Sequence, residues 1–191
     1  MLVGLLALAA ALAASAGVSA AATATISPAG NITAGTVNTL TFSSGGFTFT
    51  CPFTLAGTLA GSAVGSVNTD ILVGAIASAA SPGSCVGANS LRMLTFPWNA
   101  LMRIILNANG TITITRRIRG FQWLFDIPIA GSCLFAGDID ASATIARSGA
   151  TVGSLSIDQT QLKASGGILC PTNIGLRGTI GLPLQTMSIA L

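Results

Sequence analysis

Five aspartates are the only carboxylate side chains in this 191-residue chain, which has no histidine, glutamate or tyrosine and a single lysine, Lys163. Acid–base chemistry therefore has few carriers. Asp138 and Asp140 form an Asp-x-Asp pair that would project from one face of a strand, an arrangement able to hold a cation or to act as paired acids. No third oxygen-rich residue lies nearby in sequence, and a polar strand edge accounts for the pair equally well. A Ser-His-Asp arrangement is impossible without histidine, and a Ser-Lys dyad would rest on Lys163 alone, in the loop-like stretch from Gln161 to Gly167. Phosphate-cradling glycine loops are absent. These residues predict a non-enzymatic protein with no catalytic residues, no cofactor and no metal.

Charge is concentrated elsewhere. Four of the seven arginines, Arg103, Arg116, Arg117 and Arg119, flank the Asn109-Gly110 pair, the strongest hairpin signal in the chain. A two-residue turn there would set Arg103 opposite Arg116, an unfavourable juxtaposition of like charges. The four arginines are thus a candidate anion-binding site for an envelope polymer, a lipid headgroup or a sulfated glycan. Solubilising charges splayed into water at a strand end are the simpler reading. A net charge of +3 on an exported chain gives no reason to expect nucleic acid. Directly after the cluster, Phe121, Trp123 and Phe125 alternate along one strand face, where they would fill a core or stack on sugar rings. Core packing is the expectation, for these and for Trp98, because large side chains are scarce. The sequons Asn31-Ile32-Thr33 and Asn109-Gly110-Thr111 read as turn chemistry.

The elements that would position these residues come from a sequence written twice. Cys51-Pro52-Phe53 corresponds to Cys133-Leu134-Phe135, and Val64-Gly65-Ser66-Val67 to Val152-Gly153-Ser154-Leu155. After the second cysteine of each copy, Cys85 or Cys170, the pairs Leu91-Arg92 and Leu176-Arg177 fall at identical offsets, as do Met102-x-Ile104 and Met187-x-Ile189. The copies run from about 26 to 108 and from about 109 to 191 and predict one pseudo-symmetric domain. Four cysteines allow three pairings. Duplication favours Cys51 with Cys85 and Cys133 with Cys170, since equivalent units close equivalent loops. A metal site is disfavoured by the wide spacing and the lack of histidine.

Thr, Ile, Val and Phe alternate through the mature chain between frequent glycines, as in Phe47-Thr48-Phe49-Thr50-Cys51 and Thr111 to Thr115. This predicts an all-β fold, a sandwich or barrel of about ten strands built from two tandem pseudo-repeats, each with one disulfide. Only Asp70 to Ala80 offers a helical alternative.

Residues 1–20 read as a secretory signal: Leu2 to Ala14 is small and apolar, and Val18-Ser19-Ala20 resembles a cleavage site, although no basic residue precedes the run. The single β-domain then spans 21–191, and export suits disulfides. The cysteine pairs, the Phe96-Pro97-Trp98 element and the Cys-x-Phe openings together resemble a group of secreted actinobacterial β-rich proteins without an assigned activity. The resemblance implies an exported, disulfide-linked β-domain and brings no catalytic or binding residues with it. The expected function is that of a secreted extracellular or cell-envelope protein, structural or adhesive, binding an anionic envelope component. With 51% hydrophobic and 7% charged residues, a membrane-associated outer-layer β-barrel or pore is the alternative, followed by a lipid or glycan carrier. Outward apolar bands would mark the barrel, an enclosed apolar cavity the carrier and a packed interior the structural protein.

Overall fold

The computed structural model describes residues 21–146 and 150–190; the expected signal segment lies outside them. Thirteen strands and no helix are found among the described residues. The first nine are β1 (Ala21–Ser27), β2 (Gly30–Thr36), β3 (Leu40–Ser44), β4 (Phe47–Cys51), β5 (Thr54–Leu59), β6 (Ser62–Ser66), β7 (Asp70–Ala80), β8 (Ser90–Leu94) and β9 (Trp98–Leu106). Four much longer strands follow: β10 (Thr111–Ile127), β11 (Gly131–Ala146), β12 (Ala150–Gly166) and β13 (Asn173–Ala190). Pairing runs β12-β11-β10-β9-β7-β5-β2-β13, and β13 pairs β12 again, which closes an eight-stranded antiparallel barrel. Closure removes the edges that an open sheet would leave unpaired. The fold is thus the barrel of the two predicted architectures. Its strand total exceeds ten because short strands are added around the ring.

Asp70 to Ala80 is strand β7, not helix. Its buried residues Ile71, Val73 and Ile76 lose the strict alternation of a strand because the register to β9 shifts between Leu72 and Gly74. The long strands change partners along their length. β10 pairs β9 through Ile112–Arg119 and then β8 through Gln122–Asp126. One edge of β13 meets β3 at Gly175–Arg177, β2 at Ile180 and Gly181, and β1 from Thr186 to Ala190.

The aromatic end of this barrel is packed solid. Phe42 and Phe49 stack at 4.9 Å between β3 and β4, and Phe125 reaches Phe49 at 4.5 Å and Phe135 at 5.3 Å. Trp123 touches Phe53 at 4.6 Å and Phe121 at 4.3 Å. Trp98, Phe121, Trp123 and Phe125 are all core residues, as the scarcity of large side chains led us to expect. A bulge keeps them inside: Gly120, with φ +81°, sits where the β10–β11 register shifts, so the inward residues change from Ile112, Ile114 and Ile118 to Phe121, Trp123 and Phe125. Both expected disulfides are present, Cys51–Cys85 and Cys133–Cys170. Each joins a fully buried cysteine, Cys51 or Cys133, to a half-buried one at this end.

Candidate functional site

The four candidate arginines do not share a surface. The β9–β10 turn is one residue longer than a two-residue hairpin, since Asn107 pairs with Thr111 and Gly110, at φ +80°, completes a three-residue loop. Asn109 Oδ1 accepts hydrogen bonds from the Thr111 amide and hydroxyl, which is the turn role expected of that sequon. Because strand side chains alternate, a slip of one residue turns a side chain to the opposite face. Arg103 is therefore opposite Thr115, and Arg116 is opposite Met102, facing into the barrel.

Arg103, Arg117 and Arg119 stay outside, where β7 and β11 bring three aspartates to them. Asp70 binds Arg103 at 2.8 Å, Arg117 at 3.0 Å and Arg119 at 3.2 Å. Arg117 also forms a two-pronged pair with Asp140 at 2.6 and 2.7 Å, and Arg119 lies 3.5 Å from Asp138. Among the described residues, three cations thus face three carboxylates. The Asp138-Asp140 pair is engaged by these arginines, and the described residues contain no cluster of three or more metal-ligating side chains. Sequence reading missed Asp70, which lies 33 residues before Arg103, because only the β7–β9 register brings it there.

Desolvation by burial pushes the Asp70 carboxyl up, but the hydrogen bond from Arg103 and the charges of Arg117, Arg103 and Arg119 outweigh it and hold it below the usual range. Arg117 is correspondingly raised, first by its hydrogen bond to Asp140. A carboxylate depressed in the folded state contributes stability that is present above its unfolded pKa, about 3.9, and is lost as pH falls through the folded value. Urea midpoints recorded from neutral pH into acid are expected to fall below about pH 4, and to fall less steeply in Asp70→Asn. Identical slopes would show that the network adds nothing in acid.

Arg116 is different. It is 9% exposed, its Nη2 donates to Gln185 Oε1 and it contacts Met187 Sδ at 3.6 Å. Gln185 is fully buried on β13, beyond the register shift around Pro183 that turns it inward. The salt bridges of the described residues do not include Arg116, and burial alone pushes its guanidinium down to about 10, which still leaves it charged at neutral pH. Arg116 Nε, Gln185 Nε2 and Trp123 Nε1 are buried without a hydrogen-bond partner among the described residues. Next to Arg116 lies a cavity of about 50 Å³ whose other walls are overwhelmingly aliphatic, among them Ile118, Ile139, Ala141 and Leu155.

The outer surface is mixed: Leu72, Leu106 and Leu184 are exposed on barrel strands, but one row around the ring is wholly polar. Following the register around the ring, Asp70, Arg103, Thr115, Ser142, Ser156 and Thr179 form one outward row across six barrel strands, with no apolar member. Lys163 pairs in register with Ala136 on β11. Comparison with protein families, with curated proteins and with solved structures gives no match for this chain.

Proposed function

We propose that this is a secreted, non-enzymatic extracellular or cell-envelope protein with a structural or adhesive role. The observation that carries the reading is the polar outward row, Asp70-Arg103-Thr115-Ser142-Ser156-Thr179, around an apolar interior. A barrel that spans a bilayer presents the reverse pattern, with an apolar band about 25 Å tall outside and a polar lumen. Here the aromatic block fills one end of the lumen, which favours a protein stabilised by its own core over a pore. Two disulfides suit an oxidising compartment. The non-enzymatic reading rests on the residue inventory together with the engagement of Asp70, Asp138 and Asp140 by arginines.

Fractionation of the natively expressed protein tests this reading. Recovery in culture supernatant or in a salt wash of the envelope is the expected result, and salt release would identify an anionic envelope partner. Recovery only after detergent extraction would overturn it in favour of the membrane-associated barrel.

A further inference from the structure

The two ends of the barrel carry turns of opposite chemistry. Where β6 meets β7 and β9 meets β10, the turns are built from Asn68-Thr69 and from Asn107 to Gly110, and the Asn68 amide donates to the Ile104 carbonyl at 2.9 Å. These are residue types that turns ordinarily use. At the aromatic end the turn apices are aliphatic. Ile129, between β10 and β11, is 93% exposed; Ile168, between β12 and β13, is fully exposed, with Leu169 half-exposed beside it. The Cys170 amide donates to the Gly167 carbonyl at 2.9 Å, which makes Ile168 and Leu169 the central residues of a closed turn. The two apices adjoin. A Cβ on Gly167 would lie 3.4 Å from the Ala130 carbonyl oxygen, Cys170 Sγ is 3.6 Å from that of Ser132, and the Cys133–Cys170 disulfide ties the turn to β11. Ile129 also holds φ +73°, a region that β-branched residues rarely adopt. Backbone strain kept at an exposed apex points to a use for the side chain it presents.

The same end carries cations that the chain does not pair. Arg92 on β8 and Lys163 on β12 are exposed, and neither enters an ion pair among the described residues, whereas Arg103, Arg117, Arg119 and Arg177 all do. The register places them around two half-buried outward leucines: Arg92 is opposite Leu124, Leu124 is opposite Leu134, and Lys163 is opposite Ala136, two residues on. Asp126, which accepts from Asn89 at 3.4 Å, is the carboxylate beside them and leaves the cations in excess.

We infer that the aromatic end docks on an anionic lipid surface, with Ile129, Ile168 and Leu169 entering the boundary between headgroups and acyl chains while Arg92 and Lys163 meet lipid phosphates. The inference rests on the exported, envelope-facing reading above and gives it a partner. Protruding apices suit a lipid surface better than a protein, because a deformable bilayer surrounds a convex tip whereas a protein must offer a matching pocket. A few aliphatic anchors combined with nearby cations give binding that is reversible and salt-sensitive. Contact is made by the end of the barrel, so the strands and their polar row remain in water.

The test uses the oxidised mature protein and vesicles of phosphatidylcholine alone or mixed equally with phosphatidylglycerol, with binding read by co-sedimentation. Saturable binding to the mixed vesicles, weakened by sodium chloride and weaker on phosphatidylcholine alone, is the expected result. Ile129→Asn combined with Ile168→Ser should weaken it roughly tenfold or more, the scale of withdrawing one aliphatic side chain from an apolar phase. Arg92→Gln and Lys163→Gln should each weaken it about fivefold. Asparagine tolerates a positive φ, so Ile129→Asn is expected to hold or raise the urea midpoint, which separates lost docking from lost folding. No binding, equal binding to both vesicles, or undiminished binding in the Ile129→Asn, Ile168→Ser variant would each overturn the inference. Self-association of the lipid-free protein that this variant abolishes would also overturn it, making the occupant a second copy. Recovery in supernatant without vesicle binding sinks the docking alone, whereas recovery only in detergent sinks the reading on which it rests.

Discussion

Phe125→Ala is expected to destabilise the oxidised protein by about 3–5 kcal/mol, the usual cost of truncating a fully buried aromatic. Phe125 stands at the centre of the aromatic end, within 4.5 to 5.9 Å, centroid to centroid, of Phe49, Phe42, Phe135 and Trp123. These partners come from β3, β4, β10 and β11, so one truncation opens a void shared by elements far apart in the chain. Edge-on and tilted ring pairs contribute about 0.5–1.5 kcal/mol each beyond buried area, and those contacts are lost together. Urea denaturation of the wild type, Phe125→Ala and Phe125→Leu is the measurement. The leucine variant should lose less than alanine because it refills part of the void. A loss below about 1 kcal/mol for alanine, no more than a typical surface change plus error, would mean that the aromatic block is not the core of the barrel.

The part of this molecule that was legible in sequence is the part governed by local alternation. Phe121, Trp123 and Phe125 announced an inward face, and the β-branched and threonine-rich runs announced strands, because a period of two is written directly in residue order. The disulfide pairing was legible from the matching residue patterns around the two cysteine pairs. Arg116 was not. Its direction depends on a single residue in the turn at Gly110, and sequence reading placed it with the outer arginines although the register sends it inside. Barrel closure was equally hidden. β13 joins β12 on one edge and β3, β2 and β1 in succession on the other, contacts that span most of the chain and leave no local signature. The same non-local register delivers Asp70 to three arginines and Gln185 to Arg116, so both polar networks emerged only with the tertiary fold.

Inside and outside therefore have distinct chemistry with distinct consequences. The outer network is salt-accessible, and several of its members are a third or more exposed, among them Arg119 at 52%. Exposed pairs of this kind contribute little individually, and their main effect is to set register and surface polarity across β7, β9, β10 and β11. The inner arginine is shielded from salt and sits at an energetic cost that the surrounding hydrogen bonds only partly offset. The packed aromatic end and the two disulfides work against that cost.

That last dependence leads to the second large effect. Removing either disulfide through paired cysteine-to-alanine substitutions is expected to cost about 3–4 kcal/mol, on the chain-entropy relation for loops of this size. The bonds span 34 and 37 residues, so the two losses should be nearly equal. Alanine is preferable to serine here, because Cys51 and Cys133 are fully buried and a hydroxyl would be left without water. The structural consequences should differ although the energies match. Cys51–Cys85 ties the end of β4 to the segment before β8, which a Thr50–Val86 bridge also links. Cys133–Cys170 ties β11 to the β12–β13 connection, whose neighbours are already paired by the Cys133–Gly166 and Lys163–Asn173 registers. Hydrogen exchange should therefore show protection lost first in β3, β4 and β8 when Cys51 and Cys85 are replaced, with the eight-stranded ring retained. Replacement of Cys133 and Cys170 should loosen only the loop between β12 and β13 before global unfolding. Uniform loss of protection in both variants would mean that the added strands and the ring unfold as one unit, and that neither disulfide guards a separable part of the barrel.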